Sequence, residues 1–173
     1  MRKRLQGKSG TAPEALPVVT FDHGLSIHFN GEEIRVLALA PGHTDGDAVI
    51  HSTKSGVVHM GDQFFNGRFP FIDLGSGGSV EGYLRNVAVV LQKISSDVKI
   101  IPGHGPLASK ADLRIFHDTV SESIEIIRKA KDAGQSLDQV KAAGLPEKFK
   151  IWGSGFINTS RWIEMVYNSL KKN

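Results

Sequence analysis

The sequence of 173 residues predicts one α/β domain, in which a mostly antiparallel or mixed sheet carries helices on one face. Two observations support this prediction. The first half of the chain is a series of short β-branched or alternating apolar runs separated by turn residues, which is typical of strands. From Val80 onward, apolar residues recur every three or four positions, which is typical of amphipathic helices. With 40% hydrophobic residues, the chain is long enough for one globular core.

The strands are predicted in chain order from these runs. PVVTF, LSIHFN and EIRVLAL are separated by DHG and NGEE, which are hairpin turn sequences, so we expect a meander. DAVIHST and GVVHMGD follow with a KSG turn between them. VKII returns to strand after the first helix. His51 and His59 fall inside predicted strands, where we expect them to be packing or surface residues.

Four helices are predicted from Val80 to the C-terminus. Their start signals are an N-cap serine at Ser79, capping-box pairs at Ser109–Asp112 and Ser136–Gln139, and a last helix beginning near Thr159. Within the single domain 1–173 we therefore distinguish a basic arm (1–16), a sheet-rich region (17–106) and a helical region (107–173).

Composition excludes several classes of protein. The chain has no cysteine, so a disulfide framework or a thiolate metal site is impossible, and any metal must be bound by His, Asp or Glu. No run approaches the roughly 18 apolar residues of a membrane span, and no apolar signal core follows MRKRLQGKSG. We expect a soluble, unexported, cytoplasmic protein with no membrane partner.

The net charge of +3 is mild, and part of the excess lies in Arg2, Lys3, Arg4 and Lys8. These residues could form a nucleic-acid-binding arm or a solvated terminus. Because no aromatic interleaving and no recognition motif accompany them, the sequence favours the solvated terminus and disfavours a nucleic-acid partner.

Two segments repeat one another: LALAPGHTDGD and VKIIPGHGP each lead an apolar run into Pro-Gly-His. They place His43 and His104 just past predicted strands, and Asp62 in VVHMGDQFF has the same position after another strand. Each histidine alone could be an ordinary turn or surface residue. Imidazole and carboxylate together are donors that suit zinc, and a carboxylate can bridge two ions. The three residues as a set therefore predict a metal site at one edge of the sheet.

PGHTDGDAVIH, HMGDQFF and IPGHGP resemble the third, fourth and fifth motifs of the metallo-β-lactamase superfamily, in the family's order. The resemblance runs from about Pro17 to the C-terminus. It implies that His43 ligates a first zinc ion, that Asp62 bridges two ions and that His104 ligates the second. Because the fourth motif has Asp rather than Cys, the chain is more similar to glyoxalase II-like and other general hydrolases.

Asp45 and Asp47 follow His43 closely. We expect them to hydrogen-bond the loop or the ligand histidine rather than bind metal. Arg68, Ser76 and Ser79 are candidates for the substrate mouth. The DLGSGGS segment could receive an anionic group of a small-molecule substrate at a helix N-terminus, or it could be a turn with an N-cap.

One departure from the family concerns the first metal-binding motif, HxHxDH, which this sequence does not contain. The earlier histidines, His23 and His28, do not reproduce it. We therefore expect a truncated or split hydrolase, the C-terminal part of an αβ/βα sandwich. Three ligands for two ions predict weak zinc binding and negligible hydrolysis by the isolated chain. The alternative is a noncatalytic dimeric scaffold that retains the fold.

Half of a sandwich would leave an apolar sheet face uncovered, so we expect a homodimer or a separate chain that supplies the N-terminal half. The residues expected on that face share an apolar side chain in a predicted strand; they are Val36, Leu37, Leu39, Val49, Ile50, Val57, Val58, Ile100 and Ile101.

Overall fold

The computed structural model describes residues 11–170. The basic residues predicted to form the N-terminal arm, Arg2, Lys3, Arg4 and Lys8, lie outside the described residues. Over the part that is described, the chain forms a five-stranded mixed sheet and four α-helices, which confirms the predicted α/β class.

The five strands lie in the sheet in the order in which they occur in the sequence. They are β1 (Gly24–Phe29), β2 (Glu32–Ala38), β3 (Ala48–Ser52), β4 (Val57–Phe65) and β5 (Lys99–His104). The first four pair antiparallel as a meander, and β5 pairs parallel to β4. The β1–β2 turn is made by Asn30 and Gly31, both with positive φ, as the NG sequence predicts.

The helices begin at the predicted signals. They are α1 (Val80–Lys93), α2 (Lys110–Asp132), α3 (Leu137–Ala143) and α4 (Thr159–Ser169), with short 3₁₀ turns at Pro13–Ala15, Leu74–Ser76, Glu147–Phe149 and Trp152–Ser154. Ser79 caps α1, and both predicted capping boxes are present, at Ser109–Asp112 and Ser136–Gln139. None of the helices in residues 11–170 is long and apolar enough to span a membrane.

One predicted strand is wrong. PVVTF, residues 17–21, forms no strand, and Val18 is 99% exposed. A β-branched run becomes a strand only where a neighbour completes its hydrogen bonds, and within residues 11–170 no strand pairs with this one. The first strand of the sheet is therefore β1, on the edge.

The two faces of the sheet differ because side chains alternate along each strand. Val49, Val58 and Ile100 are buried and belong to the core shared with the helices. Ile50 and Ile101, one residue further on, are 42% and 39% exposed on the opposite face. The set of apolar residues predicted for one uncovered face thus divides between two faces.

Helix α1 connects the parallel strands β4 and β5. This crossover brings the C-terminal ends of both strands to the same edge of the sheet. The β2–β3 loop, residues 39–47, reaches that edge as well, because β3 runs antiparallel to β4. The fold therefore gathers three chain segments that are distant in sequence.

Candidate metal centre

Three side chains predicted as metal ligands meet at this edge. His43 Nε2 lies 3.3 Å from Asp62 Oδ2, and His104 Nε2 lies 3.3 Å from Asp62 Oδ1. Each oxygen of one carboxylate thus faces a different imidazole. Asp62 lies within β4 rather than after it, where the β4–β5 ladder is irregular. The strand is therefore longer than the sequence predicted.

His43 is held in place by the loop that carries it. Its Nδ1 lies 2.8 Å from the carbonyl oxygen of Phe71, and its own carbonyl accepts a hydrogen bond from Asp73 N at 2.9 Å. Because a carbonyl can only accept, Nδ1 carries the proton in this contact. The other ring nitrogen, Nε2, faces Asp62 and is the atom through which His43 would bind a metal ion.

His104 is oriented by stacking. Its ring centroid lies 4.4 Å from that of Phe65, with an angle of 21° between the planes. The His104 carbonyl accepts from Asn66 N at 2.9 Å. Phe65 is buried, so it gives a fixed surface against which the more exposed imidazole lies. The second histidine thus depends on the end of β4 for its position.

The glycines of both Pro-Gly-His segments are required by close packing against protein atoms. A Cβ on Gly42 would lie 2.4 Å from Asn86 Nδ2 and 2.8 Å from Gln63 Nε2. A Cβ on Gly103 would lie 2.5 Å from Asp62 Oδ1. The repeated glycine makes room for the amide side chains beneath the loop at Gly42 and for the Asp62 carboxylate at Gly103.

Asp47 stabilises the loop beside His43. Its carboxylate accepts hydrogen bonds from the backbone N–H of Thr44 at 2.9 Å, from the Thr44 hydroxyl at 2.8 Å and from Gln63 Nε2 at 2.5 Å. This is the loop-bonding role expected for it. Asp45, the other acidic residue singled out, is exposed, and its backbone N–H donates to the Ser76 carbonyl at 3.1 Å.

Tyr83 lies buried beneath the site. Burial raises the pKa of its hydroxyl well above the usual value, and the negative charges of Asp62 and Asp47 raise it further. Among the described residues, neither this hydroxyl nor Gln63 Oε1 has a hydrogen-bond partner. Tyr83 is therefore neutral at physiological pH and cannot act as a general base.

A pocket of about 160 Å³ opens beside the three residues. Besides the three, its lining residues are aromatic or apolar with one cation: Phe65, Arg68, Phe69, Phe71, Phe156 and Ile157. Arg68 thus lines the pocket beside the three candidate ligands. Ser76 and Ser79 do not line the pocket: Ser79 Oγ accepts from Gly82 N at the start of α1, and Ser76 N donates to Asp73.

Phe156 and Ile157 were missed by sequence reasoning. They lie in the glycine-rich link before α4, far along the chain from every motif, and no spacing signal connects them to the site. Phe156 is exposed, and the Arg161 guanidinium lies over its ring, 4.8 Å from the ring centroid. The same guanidinium is 5.6 Å from the Phe71 ring. Arg161 thus contacts two of the aromatic rings that line the pocket, without being a lining residue itself.

The donor types suit zinc, but the set is not a complete zinc site. Within residues 11–170, no group of three His, Asp or Glu side chains could hold one ion. The three residues instead form two His–carboxylate pairs, each with two protein ligands. Catalytic zinc has about three protein ligands and an open position. These residues alone therefore fit the bridging part of a two-ion site, and we derive no hydrolytic step from them.

Residues 1–112 match the sequence model of the metallo-beta-lactamase superfamily. A curated relative from Aquifex aeolicus (strain VF5), described as an uncharacterized protein, is 31% identical over 113 residues, which cover 65% of this chain and 53% of the relative. The chain thus spans about half the length of the curated relative that it matches.

Two solved structures have a similar fold. The sec-alkylsulfatase Pisa1 from Pseudomonas sp. has a TM-score of 0.65 at 16% identity, over 91% of this chain and 26% of that chain. A metallo-beta-lactamase from Pontibacter korlensis has a TM-score of 0.54, also at 16% identity, over 61% of this chain and 49% of that chain. At this level of identity the likeness shows a shared fold.

Proposed function

Because this chain belongs to the metallo-beta-lactamase superfamily, we propose that it supplies one part of the ligand set of a zinc-dependent hydrolase. The observation that supports this proposal is the Asp62 carboxylate, which has one imidazole at each oxygen. A carboxylate between two separately positioned histidines is the arrangement that a bridging ligand needs. Zinc bound there would act as a Lewis acid and lower the pKa of bound water.

The remaining ligands must come from other residues if hydrolysis is to occur. His43, Asp62 and His104 give each ion only two protein ligands. We therefore propose a split enzyme, in which a second chain completes the coordination, and negligible hydrolysis by this chain alone. The pocket beside Asp62 would then hold the apolar part of a small-molecule substrate, with Arg68 at its border.

The first experiment measures zinc binding by the wild-type chain. We expect zinc titration, followed by inductively coupled plasma analysis after dialysis, to show weak binding of up to two ions per chain. Turnover of a generic ester, lactone or β-lactam should stay at the buffer rate, because no ion reaches three protein ligands. Zinc-dependent turnover by the isolated chain would contradict the split-enzyme proposal.

The alternative function is a noncatalytic scaffold that keeps the fold and not the chemistry. The observation that favours it is that each of the two possible zinc positions, one at each Asp62 oxygen, has only two protein ligands among the described residues. In the zinc titration, a chain that binds no zinc below the concentration at which zinc binds nonspecifically would support the scaffold and exclude the hydrolase. Zinc content thus separates the two functions in one measurement.

We also propose that the open face of the sheet packs against a second copy of the chain. The pairing register places one residue of each strand in a central row across this face: Leu25, Val36, Ile50, His59 and Ile101. This row contains no Asp, Glu, Lys or Arg. Two sheets can pack face to face about 10 Å apart, and a two-fold axis would bury the same row on both copies.

Ile50→Asp is expected to weaken this dimer by at least about tenfold, because it buries an unpaired carboxylate in the interface. Sedimentation equilibrium at micromolar concentration measures the change. Ile115→Asp is the matched control, since Ile115 is 58% exposed but lies on α2, away from the sheet. A wild-type chain that stays monomeric would refute the dimer and favour a different partner chain on this face.

A further inference from the structure

A second cleft lies away from the candidate metal centre. It has a volume of about 600 Å³ and lies between the helix side of β1–β3 and the C-terminal end of α1. It shares no lining residue with the pocket beside Asp62. Ligand-binding clefts in proteins typically have volumes of about 300 to 1,000 Å³, so this cleft is large enough for a small molecule.

Two cations line the cleft, Arg35 on β2 and Lys93 at the end of α1. The cleft's polar lining residues are His23, Ser26, Arg35, His51 and Lys93, and no Asp or Glu is among the lining residues. Lys93 has no carboxylate within ion-pair distance in residues 11–170. The cleft therefore presents a positive charge, that of Lys93, which no acidic residue in the described part of the chain neutralises.

Arg35 has one acidic neighbour outside the cleft. Its Nη2 donates to Glu33 Oε2 at 2.7 Å, and Ser26 Oγ donates to Glu33 Oε1 at 2.9 Å. These contacts lower the pKa of Glu33 to about 2, so the residue remains an anion. One guanidinium nitrogen is engaged in this pair, and Arg35 has further N–H donors to offer a ligand.

The floor of the cleft is apolar. Leu37 and Val49 of neighbouring strands, Val58 of β4, and Val90 and Ile94 at the end of α1 line it. Val49, Val58, Val90 and Ile94 are at most 6% exposed, so the apolar surface that a ligand would cover is mainly that of the partly exposed Leu37. An inorganic anion would leave Leu37 in contact with water, whereas an aliphatic chain would cover it. The combination of an apolar floor and a cationic rim selects a ligand that is apolar at one end and negatively charged at the other.

We propose that this cleft binds an amphiphilic anion, an aliphatic chain that carries a carboxylate or a similar negative headgroup. The headgroup is bound by Lys93 and Arg35, and the chain lies over Leu37, above the buried Val49 and Val58. The site is independent of zinc, since none of the three candidate metal ligands lines it.

Octanoate titrated into ¹⁵N-labelled protein, with a chelator present, tests the proposal. Shifts are expected at Gly24, Ser26 and Lys93, and not at Ile50 or Ile101 on the open face. Octyl sulfate should bind similarly if charge alone selects the headgroup, and octyltrimethylammonium should bind far more weakly. Equal binding of the cationic probe, or shifts confined to the open face, would overturn the proposal.

Lys93→Gln is expected to weaken octanoate binding by about threefold to fivefold, the effect of losing one exposed ion pair. Lys93→Glu should weaken it by about tenfold, because the sign of the charge is reversed. Lys99→Gln is the matched control: Lys99 is exposed on β5, does not line the cleft, and its loss should leave the affinity unchanged. Equal affinity for wild type and Lys93→Glu would refute the assignment of the headgroup.

Discussion

Asp62→Asn is expected to lower the affinity for zinc by at least about a hundredfold. Loss of a residue that only hydrogen-bonds a metal ligand lowers metal affinity by about tenfold to a hundredfold. Loss of Asp62, which is proposed to be a ligand itself, should cost at least as much. Each oxygen of Asp62 faces one histidine. In asparagine, one of these oxygens becomes an NH₂ group, which cannot bind zinc. The other becomes a neutral amide oxygen, which binds zinc more weakly than a carboxylate oxygen. Isothermal titration with zinc measures the affinity. The increase in melting temperature that zinc gives the wild-type chain should disappear in parallel.

Asp118→Asn is the matched control for this substitution. Asp118 also lies beside a histidine, with its Oδ1 3.0 Å from His117 Nδ1, but this pair is on α2, away from the candidate site. Its loss should leave zinc affinity within the error of the measurement. Equal zinc affinity for Asp62→Asn and wild type would remove Asp62 from the ligand set and, with it, the proposed hydrolase.

Gly82→Ala is expected to lower the free energy of unfolding by about 2 kcal/mol, which is an overpacking cost. The usual effect of this change inside a helix has the opposite sign, a gain of about 1 kcal/mol. The reason is the Pro41 carbonyl oxygen, which a Cβ at this position of α1 would overlap, at 1.9 Å. Since a backbone atom cannot rotate away, either α1 or the Pro41 loop must move.

Urea unfolding measures this change, and Gly75→Ala serves as its control. Gly75 also has a negative φ, but a Cβ there would meet only Asp73 Oδ1, at 3.4 Å, which is an ordinary contact. Gly82→Ala should also weaken zinc binding, because the displaced loop carries His43. A stabilised Gly82→Ala variant would show that the loop is not seated against α1 as described.

The helices were predictable because their start signals are local. Ser79 and the capping pairs at Ser109 and Ser136 act within one turn, so the chain itself specifies where these helices begin. PVVTF was not predictable in this way. Its β-branched residues favour a strand, but whether a partner strand lies beside them is decided by the tertiary fold.

The three candidate ligands were found because apolar runs mark strand ends and the fold brings those ends together. Their hydrogen-bonding surroundings could not be predicted. That Phe71 O contacts His43, and that Phe156 lines the pocket, depends on segments that approach only in three dimensions. His51 was expected to be a packing or surface residue, and its place in the large cleft likewise follows from how α1 lies across the sheet.

The parallel pairing of β4 with β5 has a kinetic consequence. The two strands cannot meet until α1 and its flanking turns have bridged them, so His104 reaches Asp62 only after a long segment of chain has closed. Because the loop must close before the contact forms, we expect this contact late in folding. An ion bound between these residues would therefore act mainly on the unfolding rate and extend the lifetime of the native state, with little effect on how fast that state is reached.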